Sequence, residues 1–292
     1  MQKNLAIIGY AGSGKSHFAA LLYLHLVRVA EERRINLILD VDSSEFDIAG
    51  CANSLRNGVP LLPTPPGKIF EAMLDIKFPG LFRERSLSIP VIDVAGEALQ
   101  TAMKIMDAGS SGRADYQGRL EAAQTKYEVE SDEETTVRQK IHETIFQADA
   151  ICFVFNLVRE LRDGTGDIEY RRFYQNLRSY RERHDLPPVT YAGFVFTKED
   201  EVRHELDALF GGMPTADQLS YHFAPTLRVE VGSSVSEPLE HFMSYTEWRV
   251  PPNDSKGTEG EFQLVVDTAT SERLPIYPEE TYNRLVDWLS DF

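Results

Sequence analysis

Eight residues near the start of the chain constrain it most: Gly9-Tyr10-Ala11-Gly12-Ser13-Gly14-Lys15-Ser16, which fit the pattern G-x-x-x-x-G-K-[ST]. They follow the apolar run LAIIG and open a helical pattern over 16–34. The physical reason for such a strand–turn–helix unit lies in its glycines. Glycines at 9, 12 and 14 let the backbone bend until successive N–H groups point inward, and the helix adds its N-terminal dipole. The expected product is a cradle for a phosphate chain, built from Gly9, Ala11, Gly12, Ser13, Gly14, Lys15, Ser16 and His17. In it Lys15 brings a cation to the β- and γ-phosphates, and the Ser16 hydroxyl is a ligand for Mg²⁺.

The rest of the sequence supplies a fold that suits this unit. LAIIG (5–9), IPVIDV (89–94), AICFVF (150–155) and YAGFVF (191–196) are nearly continuous in apolar residues. That is the pattern of strands covered on both faces of a parallel sheet. Helical patterns over 16–34, 135–148 and 168–184 alternate with them, which implies right-handed βαβ units. INLILDVD (35–42) reads as a further strand. Phe70, Ala72, Leu74, Ile76 and Phe78 alternate with other residues, and PGLFRER then turns the chain into SLSIPVIDV, an antiparallel hairpin. TLRVEVGSS (226–234) reads as a late strand. EETYNRLVDWLSDF closes the chain as a helix with Tyr282, Leu285, Val286 and Leu289 on one face. The expected class is α/β: a three-layer P-loop NTPase with a doubly wound, mostly parallel sheet, one antiparallel strand and inserted loops. A single domain over 1–292 is expected, with insertions near 107–134, 210–224 and 246–275.

Composition narrows the partners. The 292 residues carry a formal charge of −16, from 30 basic and 46 acidic side chains. A surface so acidic is repelled by phosphate backbones and anionic lipid, so nucleic acid is not expected as a partner. The two cysteines, Cys51 and Cys152, form no C-x-x-C or Cys/His ligand pattern, and a cytoplasmic location is expected. The most apolar helical stretch, 18–30, is broken by His25 and Arg28 and is too short to span a bilayer.

Two later motifs bear on which nucleotide is bound. Asp93-Val94-Ala95-Gly96 reads D-x-x-G at the end of an apolar strand. There Asp93 can hold Mg²⁺ through water, and the Gly96 N–H can sense the γ-phosphate. Thr197-Lys198-Glu199-Asp200 follows YAGFVF and reads [NT]-K-x-D. The Asp200 carboxylate can accept two hydrogen bonds from guanine N1–H and its exocyclic amine, which adenine does not offer. The stem of Lys198 can lie against the purine. Ser233-Ser234, after TLRVEV, would support the base edge.

In the order of these motifs the sequence resembles the Ras-like superfamily of small GTPases, as an enlarged relative. The DVAGE form is similar to that of prokaryotic GTPases encoded beside other proteins in multi-component systems. The resemblance implies GTP/GDP and Mg²⁺ as cofactors, GTP hydrolysis, and an effector or activating protein that reads switch segments near 58–68 and 95–135. It also implies a switch threonine, for which Thr64 in LLPTPPGK is the candidate Mg²⁺ ligand, with Ser43 and Ser44 as rivals. Relatives usually carry Gln after D-x-x-G, and here it is Glu97. A carboxylate accepts a hydrogen bond from water but donates none to phosphate. The expected catalytic set is Lys15, Thr64 and Glu97, with Ser16, Thr64 and Asp93 around the metal. No arginine stands a few residues before Thr64, and Arg83, Arg85 and Arg113 are the remaining candidates for a charge-stabilising arginine. Two alternatives stay open: an ATP-using P-loop ATPase or kinase, and a scaffold that binds nucleotide without hydrolysing it.

Overall fold

The computed structural model describes residues 2–10, 12–40, 48–61, 69–78, 85–94, 102–103, 106, 142–250, 260–267 and 271–291. Seven strands form one sheet: β1 (Gln2–Gly9), β2 (Asn36–Asp40), β3 (Ile69–Phe78), β4 (Arg85–Val94), β5 (Ala150–Asn156), β6 (Tyr191–Thr197) and β7 (Glu240–Ser244). Their order is β2-β3-β4-β1-β5-β6-β7. β3 runs antiparallel to both of its neighbours, and the pairings from β4 through β1 and β5 to β7 are parallel. The fold is α/β, with a mostly parallel sheet and one antiparallel strand.

The apolar strands were readable because both of their faces are covered. Leu5 and Ile7 of β1, and Ala150, Cys152 and Val154 of β5, join a core with α1 (Lys15–Arg33), α2 (Ile48–Arg56) and α8, the closing helix (Glu279–Ser290). The alternating residues Ala6, Ile8, Ile151, Phe153 and Phe155 join the opposite core. That layer contains α4 (Gly166–Arg183), α5 (Arg203–Phe210), α6 (Ala216–Phe223) and α7 (Pro225–Gly232). A short helix, α3 (Leu157–Asp163), leaves the end of β5. Fully burying each such Phe, Leu or Ile contributes about 1.5–3 kcal/mol, so the period-two pattern fixes the strand faces firmly. Asp149 and Asn4 pair through both main chain and side chain at the start of β5, which sets the β1–β5 register.

Several expectations need correction. The segment 226–234 is not a strand. Pro225 starts helix α7, with its fixed φ and missing N–H suited to a first turn. Asp167, on α4, accepts the Thr226 and Leu227 N–H groups at 3.1 and 2.8 Å, so a carboxylate from another element caps the helix. The 210–224 segment is largely helical as well: Thr215 and Gln218 form a capping box that opens α6. Of the helix expected over 135–148, the described part is a π-helical turn, His142–Phe146. α2 had not been expected at all. The 246–275 excursion does contain antiparallel ribbons, β8 (Trp248–Val250) with β9 (Glu261–Phe262) and β10 (Leu264–Val266) with β11 (Arg273–Pro275). Thr64, Gly96, Glu97, Ser43, Ser44, Arg83, Arg113 and the 107–134 insertion lie outside the described residues, as does Ala11. Among the described residues, no helix is long and apolar enough to cross a membrane.

Candidate functional site

The carboxyl ends of β1, β5, β6 and β7 lie side by side, the usual place for a ligand in an open α/β sheet. β1 ends at Gly9, and the chain then turns through Gly12 (φ 69°) and Gly14 (φ 84°) into α1. Both glycines occupy the left-handed region that side chains disfavour. Gly9 is required for a different reason: a Cβ there would lie 2.3 Å from Ser13 Oγ and 3.1 Å from Lys15 Cγ. Lys15 is buried, and its ammonium donates to the carbonyls of Gly9 at 2.8 Å and Tyr10 at 3.1 Å. The cation is thus held over the mouth of the loop by main-chain dipoles. Ser16 follows on the first turn of α1.

Neighbouring strands grip this loop from below. Thr197 Oγ1, at the end of β6, lies 2.7 Å from the Ser13 carbonyl and 3.0 Å from the Phe155 carbonyl. A Cβ on Gly14 would meet Thr197 at 3.3 Å, so loop and strand end are in close contact. Asn156, at the end of β5, donates from Nδ2 to the Gly12 carbonyl at 2.9 Å while its Oδ1 caps α3. The sequence reading had no signal for Asn156, since its contact is 144 residues away.

Thr197-Lys198-Glu199-Asp200 therefore starts in contact with the phosphate-type loop. Lys198 adopts φ 62°, uncommon for a residue with a side chain, and pairs with Glu201 at 3.2 Å. Glu199 is buried and takes a two-pronged bond from Arg203 at 2.8 and 3.1 Å, which fixes the turn. Asp200 is half-buried; burial first, and then the Glu201 charge, push its carboxyl up to about 7. The Trp248 indole N–H is buried outside hydrogen-bond geometry and is among the influences that hold that value down. The Trp248 ring rests on Phe262, centroids 4.3 Å apart, and Phe262 meets His17 edge-on at 5.4 Å. His17 Nε2 lies 3.2 Å from Thr246 Oγ1; burial and then the Lys198 charge lower the His17 pKa to about 4, so the ring is neutral at pH 7.

Ser233 and Ser234 do not follow a strand. They close α7: Ser233 Oγ donates to the Glu230 carbonyl at 3.0 Å, and Ser234 Oγ meets the Tyr174 hydroxyl at 2.7 Å. The segment that follows the partner of Thr197 is Tyr245–Thr246, because the β6–β7 register sets Ser244 opposite Thr197. Asp93 lies on β4, opposite Phe70 of β3, one strand from β1. No group of three or more His, Cys, Asp or Glu side chains among the described residues is arranged to hold a metal. A Mg²⁺ bound here would instead draw on the Ser16 hydroxyl and on phosphate oxygens, the mixed donor set this ion favours.

A glycine loop at a strand end, a buried lysine at its mouth and a helix running away from it define a P-loop nucleotide-binding protein of the NTPase type. The chain belongs to the family of the helicase HerA central domain, whose family model matches residues 1–182. No curated protein matches it. Among solved structures it is similar to the Roco2 RocCORdC protein of Methanosarcina barkeri bound to GDP, at 13% identity and a TM-score of 0.31. That match covers 84% of this chain, and the chain spans 43% of that protein's length.

Proposed function

We propose that the chain binds and hydrolyses GTP with Mg²⁺ and works as a nucleotide-dependent switch. One observation carries the guanine part: Thr197 Oγ1 bonds the Ser13 carbonyl, which ties the T-K-x-D segment to the phosphate loop. Gly9, Ala11, Gly12, Ser13, Gly14 and His17 would wrap the phosphates, and Lys15 would neutralise them. Ser16, Thr64 and Asp93 would surround the metal, and Gly96 would sense the terminal phosphate. Asp200 would accept two hydrogen bonds from guanine, Lys198 would lie along the purine, and the Tyr245–Thr246 segment would stand at the base edge. Glu97 would stand beside the attacking water. Effectors or activating proteins would meet segments near 58–68 and 95–135.

A second reading rests on the family itself. A match to a helicase central domain favours a P-loop ATPase, and on that reading Asp200 would be an ordinary acidic loop residue. The charge of −16 argues against this chain gripping a nucleic acid backbone by its own surface. Equilibrium binding and Mg²⁺-dependent turnover of GTP and ATP, measured side by side, separate the two. The guanine reading requires at least a tenfold preference for GTP that disappears in Asp200→Asn. Equal or better use of ATP would assign the chain to the ATP-driven class.

A further inference from the structure

The expected arginine candidates all precede residue 114, yet an arginine stands at the phosphate loop from another direction. Arg159, in the first turn of α3, lays its guanidinium on the ring of Tyr10, 4.3 Å from carbon to centroid. Its Nη2 donates to Glu169 Oε2 at 2.8 Å and to Thr165 Oγ1 at 3.1 Å. The turn that carries it is pinned to the loop: Asn156 bonds the Gly12 carbonyl at 2.9 Å, and its Oδ1 accepts the Arg159 N–H at 3.2 Å. So this turn flanks the loop at both Tyr10 and Gly12. Tyr10 also marks which end of the phosphate chain is near, because its carbonyl holds the Lys15 ammonium at 3.1 Å. That lysine serves the β- and γ-phosphates.

The ion pair that parks Arg159 is only partly buried. The side chains of Arg159 and Glu169 are 28% and 37% exposed, and pairs at such positions contribute little to stability. Moving the guanidinium from Glu169 to another anion is therefore inexpensive. Two oxygens of a phosphate accept the guanidinium fork as the two oxygens of a carboxylate do.

We propose that Arg159 is a catalytic arginine supplied within the chain, which leaves Glu169 to donate to the terminal phosphate as the transition state forms. The step is phosphoryl transfer to water. The water oxygen bonds to the γ-phosphorus as the bond from that phosphorus to the β–γ bridging oxygen breaks. The proton released by the water ends on inorganic phosphate, and the guanidinium stays charged throughout. Its contribution is fixed positive charge and N–H donors where negative charge is redistributed. The proposal rests on the hydrolysis reading above but not on which base is bound.

The test uses the full chain in single-turnover hydrolysis with saturating Mg²⁺, on GTP and on ATP. Arg159→Ala should lower the rate constant by about a hundredfold or more. Its dissociation constants for the diphosphate and for a non-hydrolysable triphosphate should stay within about threefold of the unmodified chain, since the ground state gains little from Arg159. Arg159→Lys should remain slow, because an ammonium lacks the fork, and added guanidinium ion should restore part of the alanine variant's rate. A purely structural role would show neither the lysine deficit at normal affinity nor the rescue. A rate for Arg159→Ala within threefold of the unmodified chain overturns the proposal, as does loss of nucleotide binding in parallel with rate and without rescue. Absence of turnover in the unmodified chain on both nucleotides would instead remove the hydrolysis reading, and the arginine's role with it.

Discussion

Thr197 Oγ1 reaches the Ser13 carbonyl at 2.7 Å across 184 residues of sequence, and that one contact joins the phosphate loop to the segment ending in Asp200. The same oxygen is 3.0 Å from the Phe155 carbonyl, so a single hydroxyl stands between the loop and the end of β5. Thr197→Val keeps the shape and removes the donor. The loss should cost about 1 kcal/mol, seen as roughly fivefold weaker nucleotide binding with an unchanged fold. Calorimetric titration alongside thermal unfolding measures both; unchanged affinity would mean that the tether does not matter to the loop.

Lys15→Ala removes the cation held between the Gly9 and Tyr10 carbonyls. Nucleotide binding should fall by at least about a hundredfold, the scale of a lost charge-assisted contact to phosphate. Circular dichroism should show the fold retained. Near-normal affinity in this variant would remove the loop from the binding site.

How much of this was legible in the sequence follows from what each residue touches. β1, β5 and β6 could be read because their alternate residues all enter one of two cores, leaving unbroken apolar runs. The loop at 9–16 was legible because its geometry depends on local glycines. TLRVEVG was misread because its alternation mimics a strand, while the carboxylate that caps it as a helix, Asp167, lies 59 residues earlier. Two local signals went unused: the Thr215/Gln218 capping box, and Ile48, Ala52 and Leu55 at helical spacing in α2. The loop contacts of Asn156 and Arg159 had no local signal, since each touches a loop about 150 residues away. With the strand read at TLRVEVG goes the strand-end position read for Ser233-Ser234, which close the helix instead.

Asp200 gives the base-reading account a pH signature. With its carboxyl pushed up to about 7 by burial and Glu201, the free protein is mostly protonated there below pH 7. The charged and titratable groups that act on it are Glu201 and Glu199 on its own segment and Tyr245 after β7; Lys198 pairs with Glu201, and Arg203 on α5 with Glu199 and Glu247. Guanine requires the carboxylate, so GTP affinity should fall about tenfold per unit as pH drops below about 7 and level off above it. The stability of the unliganded chain should run the other way. A raised carboxyl pKa favours the fold most below the usual value of 3.8, and that contribution is lost as pH rises toward 7. Titrations of GTP and ATP binding from pH 5.5 to 8.5 check the sign; parallel curves for the two nucleotides would deny Asp200 its role.

Glu97 offers a test of mechanism. Hydrolysis of this kind depends on positioning and charge stabilisation more than on proton abstraction. Glu97→Gln should therefore hydrolyse GTP at an equal or modestly higher rate, and Glu97→Ala more slowly. A drop of more than about tenfold for the glutamine variant at unchanged affinity, roughly 1.4 kcal/mol of barrier, would make the carboxylate itself catalytic.

The central claim, guanine recognition by Asp200 beside the phosphate loop, is tested most directly by competition. The purified chain is loaded with a fluorescent guanine nucleotide in Mg²⁺ at pH 7.5, and GTP, ATP and xanthosine triphosphate are titrated against it. GTP should displace the probe at least tenfold better than ATP. In Asp200→Asn the order should move toward xanthosine triphosphate, with GTP losing about 1.5–3 kcal/mol of binding free energy. Displacement by ATP as effective as that by GTP, unchanged in Asp200→Asn, would contradict the account.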